Sequence, residues 1–486
     1  MMRATPPLSA VVGKSARLGS GSGRRSGAGG LGRPSAAALI LLLVGCTAAV
    51  FARPVAASPA AGFAPAVTDD LWWPQLQRLS DGAGPTVTPV SASGPVIVVA
   101  STDALLTAYR HLAETPGGGT ILLDGGAGPY ALFLYGAHTR TTGTEPVVIR
   151  SADPARKARL SDIHIRDMRN IRIEDVRVAG EAKHSLHNVL VQDSRDIAIV
   201  GSHFSGPAMA HAATPSDQAG NGILVRNADG ILFADNLVEG YNHGLGLSEV
   251  DGAVISGNAF RSLQGDGIRG AGLRNVRILG NRLHDFLGSD QLVNHSDLIQ
   301  IFGRNAETLT ENIVIAGNVL MASGLGGSQS IFIRNEEFEA PDDPTAGRYR
   351  NITVADNLIY NAHTWGIHVA DADGVRVENN TALWNTDARI VNEGEARSMP
   401  PEILVLNSRG AILRDNIAAK VRIAEGEGVL SDNFRPDYRD PASPDYVGRH
   451  VPGVRLGSAA RVQDLRISAT SPHVGKGAAI SQPPTP

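Results

Sequence analysis

Seven times between residues 230 and 420, a short apolar run is followed by a small residue or an acid, then Asn, then a second apolar run. The seven stretches are ADNLVEG, SGNAFRS, LGNRLHD, AGNVLMA, ADNLIYN, ENNTALW and RDNIAAK. Their Asn residues stand at 236, 258, 281, 318, 357, 380 and 416, so successive steps are 22, 23, 37, 39, 23 and 36 residues. The unit is therefore 22 or 23 residues, lengthened by insertions in three of the steps. A helical repeat would show 3.6-residue periodicity and strong helix formers. Here the apolar runs last only a few residues and are bounded by Gly, Asn and Asp, which marks short strands joined by bends. Asn tolerates a left-handed bend, and its side chain can bond backbone in a neighbouring unit.

Stacked Asn at equivalent bends predicts an all-β chain: a right-handed parallel β-helix, or solenoid. Ahead of the repeat, VIVVASTDALLTAYRHLAETPGGGTILLDGG reads as strand, helix, Gly-rich turn and strand. Ser101, Thr102 and Asp103 are good N-terminal caps, and Leu105, Leu106, Tyr109 and Leu112 share one helical face. A single helix before so many strands predicts an N-terminal capping helix over the open end. Taken with PGGGTILLDGG and the closing SPHVGKGA (Ser471 to Ala478), these features resemble the pectate-lyase-like β-helix superfamily. The resemblance implies one β-helix domain over residues 96 to 480. It specifies fold more than activity, because such a scaffold hosts lyases, hydrolases, epimerases and inert adhesins.

The coils align on the strand that precedes each Asn. The inward row reads Ile163, Val189, Ile223, Leu245, Ile268, Ile299, Ile331, Ile367. Side chains alternate along a strand, so the next residue of each points outward. That outward row reads His164, Leu190, Leu224, Gly246, Arg269, Gln300, Phe332, His368. A second outward row, two residues on, reads Arg166, Gln192, Arg226, Ser248, Ala271, Phe302, Arg334, Ala370. At the turn leading into each strand stand Ser161, His187, Asn221, His243, Asp266, Asp297, Gln329 and Trp365. Adjacent strands stack about 4.8 Å apart, so Asp266, Asp297, Arg269, Gln300 and Arg334 are expected on one face within a few coils. Extra residues at about 207–219, 284–297, 336–349 and 386–401 are expected to wall a groove there.

The start of the chain bears on location. Residues 1–68 contain no Asp or Glu, and seven Lys and Arg lie between Arg3 and Arg53. The apolar run SAAALILLLVGCTAAVFA after Arg33 reads as an export signal, short of the roughly 20 residues a membrane span needs. Within it LVGC resembles a bacterial lipobox, which implies lipid on Cys46. The alternative is cleavage near VAAS, which discards Cys46. Cys46 is the one Cys, so no disulfide forms within a chain. The expected division is a leader over 1–57, a Pro- and Gly-rich linker over 58–95, the β-helix, and a disordered tail over 481–486. The whole chain carries −4, and seven of its positive charges lie in the leader, so the exported remainder carries −11. Bulk charge thus argues against nucleic acid or an anionic membrane as partner. The expected product is a monomer in the periplasm, on the outer membrane through a lipid anchor, or outside the cell.

The polar cluster suits an acidic polysaccharide. In a polyuronate a carboxylate sits beside the C5 proton, and neutralising that carboxylate acidifies the proton. A base then removes it, giving β-elimination, or C5 inversion if another acid returns the proton. Arg269 and Arg334 are candidates to neutralise, His295 to act as base or acid, and Asp297 or Asp266 to orient its imidazole. Gln300, Arg226, His243, His368 and Asn221 are candidates to bind substrate. The pair Asp266 and Asp297 alternatively binds calcium or serves as the acid and base of a glycosidase. Mannuronan epimerases of this fold carry Asp-Pro-His-Asp or Asp-Pro-His-Glu. The nearest phrase here, Asn294-His295-Ser296-Asp297, keeps a His and an acid without the Pro or the spacing. Plainer readings exist for each residue: GDGI is a common turn into a strand, and outward Arg residues are often a solvated face. The competing class is a non-catalytic polysaccharide-binding β-helix, which has no reason to concentrate polar residues around His295.

Overall fold

A computed structural model describes residues 93–136, 141, 143, 145–180, 187–290, 296–322, 328–336, 347–392 and 395–483. The leader, Cys46 and nearly all of the linker lie outside the described residues, as does His295. From Val96–Val99 to Gly428–Ser431 the strands stack in parallel into three ladders, which form the three faces of each coil, apart from an antiparallel pair, Ile390–Asn392 with Glu395–Arg397. The ladder that bears the candidate site runs through Arg159–Arg166, His187–Gln192, Asn221–Ala234, Leu245–Ser256, Ile268–Leu279, Asp297–Phe302, Gln329–Arg334 and Trp365–Ala370. The inward row of this ladder is buried throughout and belongs to one continuous apolar core.

The helix Thr102–Ala113 begins where its sequence predicts, with Ser101 Oγ accepting the Ala104 N–H at 3.2 Å. It buries Leu105, Tyr109 and Leu112 in the same core as Ile121, Leu123 and Leu132 of the first coils. Leu106 is only partly buried.

The Asn repeat forms a buried ladder of side-chain amides. Asn236, Asn258, Asn281, Asn318, Asn357, Asn380 and Asn416 each donate Nδ2–H to the Oδ1 of the next, at 2.9–3.1 Å. The last of these bonds reaches Asn433, an eighth rung beyond the seven read from the repeat. From Asn258 on, each Oδ1 also accepts the backbone N–H of the preceding rung, as Asn318 does from Asn281 at 2.9 Å, and Asn236 Oδ1 accepts the Ser202 N–H. The left-handed bend, however, is not at the Asn. It falls on the residue before, as at Asp235, Gly257, Gly280, Gly317, Asp356, Asn379, Asp415 and Asp432, with φ between 54° and 65°. The physical reason is division of labour. Positive φ suits Gly and small Asx residues, and it leaves the following Asn extended, with its amide turned inward.

The coils stop at Ser431, and the rest of the domain is not β-helix. Phe434, Val447, Val451, Leu465 and Ile467 fold back onto Leu358, Tyr360, Leu383 and Ile417 of the short-strand face. The closing stretch is clipped to the coil turns through Gly477 N–H to Asp415 O (2.6 Å), Ala478 N–H to Thr381 Oγ1 (2.9 Å) and Ala479 N–H to Asp356 Oδ1 (3.2 Å). Ser481, expected in a loose tail, is fully buried with its Oγ 2.8 Å from Thr381 Oγ1.

Candidate functional site

The register of the site-bearing ladder matches the sequence alignment pair by pair. His164, Leu190, Leu224, Gly246, Arg269, Gln300, Phe332 and His368 are successive partners across the strands. In the second outward row Arg166, Gln192, Arg226, Ser248 and Ala271 follow one another, and Phe302 pairs with Arg334. At the leading turn His187 pairs with Asn221, and Asp297 with Gln329. The alternation of inward apolar and outward polar side chains fixes this register, because a slip by one residue would turn every Ile outward.

A pocket of about 350 Å³ opens on this face. It exists because three small residues, Gly246, Ser248 and Ala271, sit between larger neighbours on adjacent strands. Leu224 closes one side of the hollow, and Arg269 and Phe302 close the other, with the guanidinium of Arg269 4.9 Å from the Phe302 ring centre. His187, Asn221 and His243 line it from the leading turns of three consecutive coils, and Arg304 and Asn305 line it from the turn after Phe302. No Asp or Glu is among the described residues that line it.

Behind this lining stands Asp266, 2% exposed. Its Oδ1 accepts the Asp297 backbone N–H at 2.9 Å, and its Oδ2 pairs with Arg269 Nη1 at 3.1 Å. The same Oδ2 lies 3.3 Å from His243 Nδ1. His243 Nδ1 faces the Asp266 backbone N–H at 2.9 Å, and its Nε2 faces Arg269 Nη1 at 3.0 Å. Nδ1 thus faces both a donor, the Asp266 N–H, and an acceptor, Asp266 Oδ2, whereas Nε2 faces only the Arg269 donor, so a proton on Nε2 would set N–H against N–H. Burial, with Arg269 and His187 adding to it, holds His243 down at about 4 against the pull of Asp266. With its proton on Nδ1, the neutral ring accepts from Arg269 at Nε2 and so braces the guanidinium.

His187 differs. Burial first, then the Arg226 and Arg269 cations, lower it to about 4. Its imidazole makes no hydrogen bond with the described residues, and it lines the pocket. Beside it, Asn221 Oδ1 is buried and lacks a hydrogen-bond partner among the described residues. A neutral imidazole and a bare amide oxygen therefore stand next to two guanidinium groups, Arg269 and Arg304. That arrangement can hold an anionic group and accept a proton near it.

Not every residue expected at the site is brought there. Arg269, His243 and Asn221 line the pocket, and Asp266 braces it from behind. Asp297 is fully buried, and its backbone rather than its position beside a substrate is what contributes. Gln300 is buried one coil beyond Arg269, outside the lining. Arg226 reaches away to Gln192 Oε1 at 2.6 Å and acts on the pocket only through its charge on His187. Arg334 lies two coils along, 3.8 Å from Asp371. His368 is 3% exposed among Phe332 and Trp365, with ring centres 4.9 and 5.0 Å away, so it is not a surface contact for substrate. The calcium reading does not fit either. Asp266 is committed to Arg269 and an N–H donor, whereas calcium needs six to eight oxygens. Nor do the described parts of the inserted segments line the pocket.

Sequence reading placed His187 in the leading-turn row but passed over it. The run His187, Asn221, His243 at one turn position, facing a dip to Gly246, Ser248 and Ala271 in the outward rows, was the available signal. Arg304 and Asn305 left no signal, because they follow the strand in an irregular turn.

Residues 156–314 match the family described as "Right handed beta helix region". No curated relative matches the chain by sequence. Among solved structures, the chain is similar to the Dettilon tailspike protein gp208, at 11% identity and TM-score 0.44, covering 71% of this chain and 72% of that one. It is similar to the Streptococcus pneumoniae surface protein and adhesin PfbA at 13% identity and TM-score 0.35, covering 70% and 100%. It is also similar to the A-module of the Azotobacter vinelandii mannuronan C-5 epimerase AlgE6 at 13% identity and TM-score 0.31, covering 69% and 94%. With its three parallel ladders and the matched region together, the chain is a right-handed parallel β-helix protein.

Proposed function

We propose that this is an exported enzyme that removes the C5 proton of a uronate unit in an acidic polysaccharide, as a lyase or an epimerase. The observation that carries the reading is the pocket lining: among the described residues it offers two guanidinium groups and a neutral His187 whose ring makes no hydrogen bond, and no carboxylate. The substrate carboxylate would sit against Arg269 and Arg304, whose charge stabilises the electron pair that C5–H cleavage pushes onto it. Arg269 is held for this by Asp266 and His243. His187 would take the proton. A substrate anion offsets the Arg226 and Arg269 cations that depress His187, moving its basicity back toward the operating pH as it binds. From the resulting carbanion, forming the C4=C5 bond breaks the C4–O bond, and the departing chain's oxygen takes a proton from solvent, which gives cleavage. Return of a solvent proton to the opposite face of C5 gives inversion. Glycoside hydrolysis by paired carboxylates is disfavoured, since Asp266 and Asp297 are buried behind the wall.

The test is incubation of the purified protein with alginate, pectate and glycosaminoglycans, read by ultraviolet absorbance for unsaturated ends and by NMR for C5 configuration. Either product, lost in His187→Ala, supports the proposal. Tight binding of one polymer with neither product would instead identify a non-catalytic polysaccharide-binding protein.

A further inference from the structure

The C-terminal segment carries a second cluster of ligating side chains, independent of the pocket. Phe434 stacks on His473 with ring centres 3.5 Å apart and meets His450 edge-on at 4.9 Å. The two imidazoles lie 4.9 Å apart, and Asp445 Oδ1 is 4.0 Å from His473 Nε2. One ligand atom from each of Asp445, His450 and His473 falls within 4.8 Å of the other two.

The surroundings of His450 suit a ligand. It is 7% exposed, with Nδ1 2.9 Å from Ser471 Oγ and Nε2 2.9 Å from the Pro444 carbonyl oxygen. A hydroxyl can donate or accept, so Ser471 supports either tautomer of the ring. With the proton on Nε2, the ring donates to Pro444 and accepts from Ser471. With the proton on Nδ1, it donates to Ser471, and a bare Nε2 faces the carbonyl oxygen, two acceptors that a cation would join. Metal-binding imidazoles are held in this second way, by a hydrogen bond from the nitrogen that does not bind. Ser471 Oγ also accepts the backbone N–H of His473 at 3.2 Å, so one hydroxyl orients both imidazole-bearing segments.

We propose that Asp445, His450 and His473 bind a divalent transition-metal cation of the zinc type, with the Pro444 carbonyl as a neighbouring fourth donor. Two imidazole nitrogens and a carboxylate oxygen are borderline donors that favour zinc over calcium or magnesium, which prefer all-oxygen shells. Ligand atoms about 2.0–2.1 Å from a tetrahedral zinc lie roughly 3.4 Å from one another, so the cluster must tighten by about an ångström. Asp445, whose side chain is 56% exposed, is free to supply most of that movement. The ion would tie the stretch before the short helix Val447–His450 to the stretch after Ser468, stapling the C-terminal wrap to itself.

The experiment uses the full chain, dialysed against zinc chloride and then buffer, with metal counted by mass spectrometry and Tm followed with and without zinc. The native chain is expected to retain about one zinc and to gain Tm with it. Asp445→Asn and His473→Ala, both near the surface and checked for folding by circular dichroism, are expected to lose the zinc and the Tm gain. A His187→Ala, His243→Ala double variant is expected to keep both. A native chain that retains no zinc, an equal content in His473→Ala, or loss of zinc on removing the two pocket imidazoles would each overturn the proposal.

Discussion

Two rows of polar side chains run along the axis of this solenoid, and they are used in opposite ways. In the Asn row every amide is committed: Asn318 gives Nδ2–H to Asn357 Oδ1 and Ile278 O, while its Oδ1 takes two bonds from Asn281. In the row of His187, Asn221 and His243 the commitments are incomplete or mismatched. Asn221 Oδ1 and the His187 imidazole have no hydrogen-bond partner among the described residues, and His243 Nδ1 faces a donor and an acceptor of Asp266 at once. Both rows come from one coil repeat at one strand spacing. Saturation distinguishes them. A polar row with every bond made holds coils together, whereas a row with a lowered proton affinity and a bare oxygen keeps capacity for a ligand.

Substitutions can break that contrast, and filling the pocket should do so most severely. Gly246→Leu places a side chain in the hollow, where the nearest neighbours of a new Cβ are Leu224 Cδ1 at 3.4 Å and Ile223 O at 3.6 Å. Turnover on the identified polymer is expected to fall to background with Tm unchanged. A variant that keeps full turnover would place the site elsewhere. His187→Ala should lower kcat by on the order of a hundredfold or more while leaving the fold intact, the usual size of a proton-transfer contribution.

Across the molecule, Asn318→Ala should do the reverse. It orphans two buried donors of Asn281, and urea denaturation is expected to show a loss of about 2–3 kcal/mol with kcat unchanged. If stability were untouched, the ladder would be ornamental.

His368→Leu tests the contrast within the core. Both ring nitrogens of His368 are buried without a hydrogen-bond partner among the described residues, and burial, with Arg334 and Arg422, lowers it from 6.5 to about 4. Between those values the unfolded chain holds a proton that the folded chain lacks, so the native protein loses stability as pH falls through that window. Replacing the ring should raise stability by about 1 kcal/mol at pH 7.5, and by more at pH 5. A smaller gain at pH 5 than at pH 7.5 would contradict the assignment. Smallest of all, Arg334→Ala should change KM by no more than a few-fold, because its guanidinium lies beyond the pocket. A large effect would extend the site two coils further.

Much of this architecture was legible beforehand, for reasons that differ by residue. The Ile and Val of the inward row announced themselves because burial on a period of two leaves one workable register. The Asn rungs showed because a stacked amide needs the same residue at the same place in each coil. Asn433 escaped notice because its step from Asn416 is only 17 residues, shorter than any other. His187 stands in the leading-turn row, but a lone His beside Leu190 carries less local charge than residues 295 to 297, and only stacking of its coil in one ladder with Gly246 and Ser248 gives it a pocket. The C-terminal wrap was misread as more solenoid, because Phe434, Val447 and Ile467 are spaced for a surface to be covered rather than for a repeat.

What the sequence determined by itself is the coil: its length, its register and which side chains face in or out. Those follow from local alternation and from a repeat that each unit satisfies against its neighbours. Only the tertiary structure decided which outward residues line a pocket. Small side chains at Gly246, Ser248 and Ala271 become a cavity only when stacked beside Leu224, Arg269 and Phe302. An imidazole becomes a brace or a free base according to the donors that neighbouring coils set against it. The lowered proton affinities of His187 and His243 arise from burial first and then from charges on neighbouring coils, neither of which a single coil supplies.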